Sequence, residues 1–258
     1  MKAPKVLPIV EDAPKEMNRE LHPNIPQPPT LLTVYGSIKA GKSTILSNLF
    51  LSDDFMRGYF DRIFWFSQTI LNDKTSRFLC KEENIDTFSE YSDELLRSII
   101  QMMDAEDPDE KDTVAIVFDD ILGSIKRESY ANYLATRFRH HLPNGLLVFS
   151  SQNYKSIPPI VRNNQTAVII CKQHNIKELK KMEEEFDGMF HGNFLQLYRE
   201  AVLDHPYSFL LLKLDQNPCE AWVCYERQIY PKSGMETGDD VTNVREEVLK
   251  DQILKEVL

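Results

Sequence analysis

The sequence has none of the long hydrophobic runs that mark secreted or membrane-spanning chains. The first 20 residues, MKAPKVLPIVEDAPKEMNRE, have no uninterrupted apolar core, so we expect no secretory signal there. No apolar run approaches the roughly 20 residues that a transmembrane helix needs. These absences predict a protein that is neither secreted nor membrane-spanning.

Cysteine is also scarce, with four residues in 258. They are scattered along the chain and form no C-x-x-C pair, and the two that lie nearest each other have no histidine close by in sequence. We therefore predict no zinc site and interpret the cysteines as reduced thiols of an intracellular protein. The four are Cys80, Cys171, Cys219 and Cys224.

The formal net charge of −10 argues at first against a nucleic-acid partner, but the charges are unevenly distributed. Residues 82–112 carry twelve acids against two basic residues, whereas residues 120–181 carry ten Lys and Arg against three acids, a local balance of +7. A charge run is usually a solvated face. The alternative is a basic zone that contacts phosphates while the bulk charge limits promiscuous binding.

Residues 31–44, LLTVYGSIKAGKST, carry the strongest motif in the chain. A short apolar run typical of a buried strand leads into a match to G-x-x-x-x-G-K-[ST], and helically spaced apolar residues follow. Backbone N–H groups of such a P-loop cradle phosphates, Lys42 would reach the β- and γ-phosphates, and the Ser43 hydroxyl would bind Mg²⁺. The predicted nucleotide-binding residues are Gly36, Ser37, Ile38, Lys39, Ala40, Gly41, Lys42, Ser43 and Thr44.

A second apolar run, residues 113–120, ends in two carboxylates. Because ligands bind at the carboxyl ends of strands in open α/β sheets, this strand directs Asp119 and Asp120 toward the P-loop nucleotide. We expect Asp119 to hold Mg²⁺, directly or through water, and Asp120 to act as general base on the attacking water. Asp-Asp is also an ordinary strand end, and its pairing with a P-loop favours the functional interpretation.

Two further predicted strands bear on the class of P-loop protein. Residues 62–69 lie between the two motifs in sequence, an order that suits motor-type ATPases, in which an additional strand is inserted between the two nucleotide strands. Residues 145–152 end in Gln152, whose amide could hydrogen-bond both the water and the γ-phosphate and so sense hydrolysis. A strand-capping amide is the alternative for Gln152.

A predicted helix, residues 129–141, ends in four basic or titratable side chains. Cations are favoured at a helix C-terminus by the helix dipole alone. The alternative is an arginine finger on a neighbouring subunit's nucleotide, since a guanidinium stays charged and grips the γ-phosphate as charge develops. The four residues are Arg137, Arg139, His140 and His141.

Four segments occur in a distinctive order over roughly residues 29–175: GSIKAGKST, VAIVFDD, TRFRHH and LLVFSSQNYKSIPPIVRNN. In this order the sequence resembles the FtsK–HerA superfamily of P-loop motors, and in particular the genome-packaging ATPases of large double-stranded DNA viruses and virophages. The P-loop and the aspartate strand are general, whereas the Arg-His, Gln and Ile-Pro order is specific.

The resemblance implies a role for each matching residue: Asp119 as the metal acid, Asp120 as the base, Gln152 as the sensor and Arg139 as the finger. The sequence departs from the family at two points. Many cellular members have Glu where this chain has Asp120, and the spacing from Arg139 to Gln152 is longer than usual. Arg137 and Arg162 therefore stay open as alternative fingers.

The resemblance also implies a function. We expect a Mg²⁺-dependent ATPase that drives double-stranded DNA into a viral capsid as a homo-oligomeric ring of five or six subunits, with capsid proteins as further partners, in the host cytoplasm, a viral factory or the virion. The alternative is a small P-loop nucleotide kinase or other phosphotransferase, although we find no Arg-rich lid or acceptor motif. A GTPase lacks support because there is no N-K-x-D motif, and a non-hydrolysing scaffold is opposed by the intact motifs.

These patterns predict one α/β P-loop NTPase domain of the RecA/ASCE type, residues 29–232, with a mainly parallel sheet sandwiched by helices. A Pro-rich arm, residues 1–28, precedes it, either disordered or lying on a neighbour. A hinge and a helical tail, residues 233–258, follow it and either pack on the domain or contact a partner. The remaining predicted elements are strands at 85–91 (peripheral), 166–171, 207–214 and 221–225 (edge), and helices at 93–103, 176–187 and 193–204.

Overall fold

The apolar runs of the sequence form the strands of a single sheet in the computed structural model, which describes residues 21–70, 76–105, 112–121, 123 and 125–231. Strands that are buried along their whole length come from the most continuous apolar runs, as expected for strands covered on both faces. The strands are β1 Thr30–Tyr35, β2 Arg62–Phe66, β3 Ile85–Phe88, β4 Val114–Asp119, β5 Leu146–Ser151, β6 Ala167–Ile170, β7 Leu210–Lys213, β8 Glu220–Val223 and β9 Arg227–Ile229.

The sheet has the order β3-β2-β4-β5-β1-β6-β7-β8-β9. The strands from β3 to β6 in this order run parallel, and the last three are antiparallel to their neighbours. We call the edge at which the parallel strands end the carboxyl edge and the opposite one the amino edge. Register brings Tyr35 of β1 beside Ser151 of β5, and Ser150 beside Asp119 of β4, so the three central strands end together at the carboxyl edge.

Helices flank the sheet, and their apolar faces supply the rest of the core. In the second helix, Ser92 accepts a hydrogen bond from the Leu95 N–H as N-cap, and the buried residues recur at helical spacing. The helices are α1 Lys42–Leu51, α2 Asp93–Asp104, α3 Tyr130–His141, α4 Pro159–Arg162, α5 Ile176–Phe186 and α6 Phe194–Val202, with 3-10 helices Ser76–Lys81, Tyr154–Ser156 and Asp187–Phe190.

The predicted fold class, an α/β P-loop fold with a mainly parallel sheet flanked by helices, is confirmed. The strand inserted between the P-loop strand and the aspartate strand was wrongly identified, however. It is β5, whereas β2 lies on the far side of β4. The strand predicted to be peripheral, β3, does end the sheet, but β8 is not an edge because β9 pairs with it.

The end of the predicted arm packs on the antiparallel part of the sheet. Ile25 is fully buried, the Asn24 side-chain amide donates to the Tyr225 carbonyl at 2.7 Å, and Lys213 donates to the Pro23 carbonyl at 2.7 Å. Residues 1–20 of the arm and the predicted hinge and tail beyond residue 231 lie outside the described residues. In the described part of the chain, no helix combines the length and apolar character needed to cross a membrane.

Candidate nucleotide-binding site

The P-loop motif forms the turn between β1 and α1 at the carboxyl edge. Gly41, directly before α1, has a φ of 97°, a left-handed conformation that glycine adopts without steric cost. Lys42 begins the helix, is buried, and donates from Nζ to the Gly36 carbonyl at 2.8 Å. The loop is thus closed on itself by the same ammonium group that a phosphate would attract.

Gly36, the first glycine of the motif, fits against the end of β6. A Cβ at Gly36 would lie 2.7 Å from Cys171 Cβ and 3.1 Å from Lys42 Cγ, so no side chain fits without a shift of the loop. Burial raises the pKa of the Cys171 thiol to about 12, an effect that the charge of Lys42 partly opposes. Cys171 is therefore a packing residue, and all four cysteines are free thiols in the structure.

Ser37 ties the P-loop to the segment that follows β6. Its N–H donates to the Lys172 carbonyl at 3.2 Å, its hydroxyl donates to Gln173 Oε1 at 3.2 Å, and the His174 N–H donates to that hydroxyl at 2.9 Å. Gln173 is held in turn by a hydrogen bond from its N–H to the Tyr198 hydroxyl at 2.8 Å. These bonds fix the P-loop turn against the sheet.

Asp119, Asp120 and Gln152 meet at the carboxyl edge, beside the P-loop. The Asp119 side chain is 5% exposed at the end of β4, whereas Asp120 is exposed and has a φ of 52°. Gln152 Nε2 lies 3.4 Å from Asp120 Oδ2, a long hydrogen bond across the strand ends. The Ser150 hydroxyl, in the strand β5 beside Asp119, is buried and has no hydrogen-bond partner among the described residues.

A buried carboxylate on α5 holds the segment after Gln152. Glu178 Oε2 accepts from the Tyr154 N–H at 2.7 Å, and its other oxygen accepts from the Lys181 ammonium. Burial works against the charged form, but the hydrogen bonds from Lys181 and Tyr154 hold the pKa of Glu178 below its usual range. A cavity of about 660 Å³ lies between this segment and the P-loop. Its lining includes Ser37, Ile38, Gln152, Gln173 and Lys177.

The residues predicted to hold Mg²⁺ have suitable chemistry and share one edge of the sheet. Ser43 is half-buried in the first turn of α1, and Asp119 ends β4, with only β5 between β4 and β1. Mg²⁺ usually keeps several waters and takes one or two protein oxygens plus phosphate oxygens. A hydroxyl and a single buried carboxylate fit that preference. Among the described residues, no cluster of three His, Cys, Asp or Glu side chains forms a metal site.

The arginine candidates do not lie with these residues. α3 precedes β5, so its C-terminal end, with Arg137 and Arg139, is at the amino edge, across the sheet from the P-loop. Both side chains are exposed there. Arg162 instead forms an ion pair with Glu185 and lies 4.6 Å above the Tyr154 ring, which gives it a structural role.

The basic zone is divided between the two edges. Lys155 follows β5, Lys172 follows β6 and Lys177 lies in the first turn of α5, so these three exposed lysines share the carboxyl edge. Arg137 and Arg139 are at the amino edge. The sequence distribution suggested one continuous basic surface. The structure instead divides the zone between two edges of the sheet.

Tyr207 lies beside the P-loop, a position that the sequence did not predict. It was included in a predicted strand, residues 207–214, but β7 begins only at Leu210, and Tyr207 lies in the preceding turn, 72% exposed. A Cβ on Gly41 would lie 3.5 Å from Tyr207 Cδ1. Pro206 immediately before it was the sequence signal for a turn.

Replacing Gly36 with alanine is expected to destabilise the protein by about 1–3 kcal/mol and to reduce the rise in melting temperature that we expect on addition of ATP. The added methyl group meets Cys171 Cβ at 2.7 Å, and the loop must move away. Gly188→Ala is the matched control, because a Cβ there meets no atom within 4 Å. Adding Cys171→Gly to Gly36→Ala removes the closest contact and should restore part of both losses. Thermal unfolding with and without ATP measures them.

No protein-family model matches the sequence, and no curated protein matches it. Solved structures do. The DNA-packaging ATPase B204 from Sulfolobus turreted icosahedral virus aligns with a TM-score of 0.57 at 12% identity, over 79% of this chain and 100% of that one. The genome packaging NTPase B204 from Sulfolobus turreted icosahedral virus 2, in complex with ATP-gammaS, gives 0.52 at 12%, over 79% and 98%.

EssC (ATPases 2 and 3) from Geobacillus thermodenitrificans also aligns, with a TM-score of 0.53 at 16% identity, over 88% of this chain and 44% of that one. Identities this low establish the fold and not the activity. The chain has the fold of P-loop ATPases, which it shares with B204 and EssC.

Proposed function

We propose that this chain is an ATPase of the genome-packaging type, which hydrolyses ATP to move double-stranded DNA and works as a ring of identical subunits. One observation carries the proposal: the P-loop, the Asp119–Asp120 pair and Gln152 come together at the carboxyl ends of three neighbouring strands, β1, β4 and β5. The fold shared with packaging ATPases supports it. Capsid proteins as partners, and a location in the host cytoplasm, a viral factory or the virion, rest on the sequence resemblance alone.

The residues divide the chemistry among themselves. Backbone N–H groups of the P-loop receive the phosphates, and the Lys42 ammonium turns from the Gly36 carbonyl to the β- and γ-phosphates. Ser43 and Asp119 would hold Mg²⁺, which would neutralise charge on the phosphate oxygens. Asp120 accepts the proton of the attacking water, and the Gln152 amide, 3.4 Å from Asp120 Oδ2, orients that water toward the γ-phosphate.

The inserted strand favours a motor ATPase over the nucleotide kinase that the sequence left open. β5 separates the P-loop strand from the aspartate strand and delivers Gln152 between them. This is the arrangement expected of motor-type ATPases, in which a polar group at the end of the inserted strand senses the γ-phosphate. A phosphotransferase would instead need an acceptor site, for which we find no motif.

The exposed lysines of the carboxyl edge supply a surface for the DNA backbone. Three exposed lysines lie in the segments that follow the strands of the proposed nucleotide site: Lys155, Lys172 and Lys177. Because short connections join them to these strands, we expect them to move when the bound phosphates change. Lys181 belongs to the same basic zone but is paired with Glu178, so we do not assign it to DNA. Lysine contacts to phosphate give affinity without sequence preference.

Long duplex DNA is expected to raise the rate of ATP hydrolysis, and DNA binding should weaken steeply as salt increases. The triple variant Lys155→Gln, Lys172→Gln, Lys177→Gln should lose much of the stimulation. Its plot of log affinity against log salt should be shallower by up to about 0.9 for each lysine that contacts a phosphate. Hydrolysis assays and fluorescence anisotropy at several salt concentrations measure both effects.

Lys81→Gln serves as the control, since Lys81 lies shortly before the start of β3 and so at the amino edge, away from the three carboxyl-edge lysines. The rate without DNA separates a loss of DNA contacts from damage to the nucleotide site. A protein that hydrolyses ATP but shows neither stimulation nor duplex binding at low salt would contradict the DNA-motor function and leave the ATPase assignment standing.

A further inference from the structure

Tyr207 combines exposure with an unfavourable backbone conformation. Its side chain is 72% exposed, and its φ of 65° is unusual for a bulky residue. The turn that carries it is held firmly: the Ser208 N–H donates to the His205 carbonyl at 3.1 Å, and the Ser208 hydroxyl donates to the same carbonyl at 2.7 Å. Residues kept in such conformations cluster at ligand sites, because the surrounding structure must impose them.

One edge of the Tyr207 ring lies beside the second glycine of the P-loop. A Cβ built on Gly41 would be 3.5 Å from Cδ1 of the ring and 3.7 Å from Cβ of Tyr207, ordinary van der Waals distances. Gly41 directly precedes α1, at the part of the loop whose N–H groups face the α- and β-phosphates. Tyr207 is therefore next to the phosphate site but leaves most of its ring open to solvent.

The sheet order fixes the direction in which a bound nucleotide extends. Asp119, Asp120 and Gln152 mark the γ-phosphate side, on β4 and β5, to one side of β1. A nucleotide whose γ-phosphate lies there has β6 and β7 on the other side of β1, where its ribose and base have room to extend. β7 is antiparallel to β6 and therefore starts at the carboxyl edge, where the turn of Tyr207 leads into it. At the usual spacing of about 4.8 Å, β7 is roughly 10 Å from β1.

We infer that the Tyr207 ring is the platform on which the purine base of the nucleotide stacks. The inference rests on the proposed function, since it places a nucleoside triphosphate in the P-loop. Every base has a π-face, so stacking adds affinity without reading the pattern of donors and acceptors. Tyr207 thus holds the base and discriminates little between ATP and GTP.

Binding of ATP and of inorganic tripolyphosphate, which has no base, tests the inference. Tyr207→Ala should weaken ATP binding by roughly 5- to 100-fold and leave tripolyphosphate within about twofold, because only the base contact is lost. Tyr207→Phe keeps the ring and should bind ATP as the wild type does. Tyr230→Ala is the matched control: Tyr230 is 66% exposed, and β9 leads it to the amino edge. Isothermal titration calorimetry gives each dissociation constant.

Tyr207→Gly separates the ring from the conformation of the turn. Glycine suits a φ of 65°, so this variant should unfold at a higher temperature than Tyr207→Ala and still bind ATP as weakly. Normal ATP binding by Tyr207→Gly or Tyr207→Ala, or an equal loss of ATP and tripolyphosphate, overturns the platform. A wild-type protein that binds neither ligand overturns the P-loop function itself, so the two failures are distinguishable.

Discussion

Asp120→Asn is expected to slow ATP hydrolysis by about 10²–10⁴-fold, the usual contribution of a general base. ATP affinity should change little, because the substitution removes the proton acceptor and no phosphate contact. The two side chains have the same shape. Asn also accepts the positive φ of 52° at this position as readily as Asp does, so the strand end should keep its geometry.

Two other variants at the same edge should behave differently. Lys42→Ala should lose both hydrolysis and most ATP binding, because the phosphates lose their fixed cation. Asp119→Asn should raise the Mg²⁺ concentration needed for hydrolysis, since Asp119 is buried at the end of β4, where we propose that it holds the ion. Rates measured over a Mg²⁺ titration, with fluorescent-nucleotide binding in parallel, distinguish the three roles.

Normal hydrolysis by Asp120→Asn would assign the base to another group. If excess Mg²⁺ restores the activity that Asp120→Asn loses, then Asp120 is the Mg²⁺ ligand and Asp119 the general base. Gln152→Ala provides a further comparison: Gln152 Nε2 contacts Asp120 Oδ2 at 3.4 Å, so removing its amide should lower the rate and leave nucleotide binding intact.

Local sequence was sufficient to predict most of the elements that build this site. A P-loop is a contiguous turn between a strand and a helix, and the chain from β1 to α1 contains all the predicted phosphate-binding groups. The carboxylates follow an apolar run for the same reason. Asp119 and Asp120 must lie where a buried parallel strand reaches solvent, and Val114–Asp119 is such a strand.

The order of the strands in the sheet could not be predicted from local sequence. β5 follows β4 in the chain but lies between β4 and β1 in the sheet, whereas β2 precedes β4 and lies outside it. Both are short apolar runs, and nothing in their composition distinguishes a central position from an outer one. β9 has only three residues and little apolar character, so its pairing with β8 depends on the tertiary structure.

The partners of individual side chains could not be predicted from local sequence either. Arg162 and Lys181 looked like available cations in the sequence, yet each is paired with a glutamate of α5. The partner of Arg162, Glu185, is 23 residues away in the chain. The position of Tyr207 was not predicted either. Its apolar neighbours favour a strand, and only its backbone conformation places it beside Gly41.

The three candidate arginine fingers differ in how far their side chains are already engaged by partners. Arg162 is committed to Glu185 and Tyr154, and Arg137 lies 4.3 Å from the Tyr133 ring. Arg139 is exposed at the end of α3 and has no carboxylate partner among the described residues. Its guanidinium carbon lies 5.6 Å from the centroid of the adjacent Phe138 ring. Because Arg139 is at the amino edge, it can meet an active site only on another subunit.

Arg139→Ala is expected to reduce hydrolysis by about 10³–10⁵-fold, the range of known arginine fingers, and to leave ATP affinity almost unchanged. Arg162→Ala should instead lower the melting temperature, because it leaves the half-buried Glu185 carboxylate without its partner. If Arg139 only satisfies the helix dipole, its removal costs no more than about 1–2 kcal/mol of stability and leaves the rate intact. Steady-state hydrolysis and thermal unfolding of both variants separate these outcomes.

Mixing two inactive proteins tests whether the finger acts on a neighbouring subunit. Each proposed active site uses Asp120 of one subunit and Arg139 of the next, so a ring of either Arg139→Ala or Asp120→Asn subunits contains no complete site. In a mixed ring, an Arg139→Ala subunit next to an Asp120→Asn subunit forms one site that has both residues, and part of the activity should return. Recovery should be greatest near equal amounts of the two proteins, where such neighbours are most frequent. Absence of recovery in rings shown to contain both proteins rules out a finger acting between subunits, and the same mixtures with Arg137→Ala then test its rival.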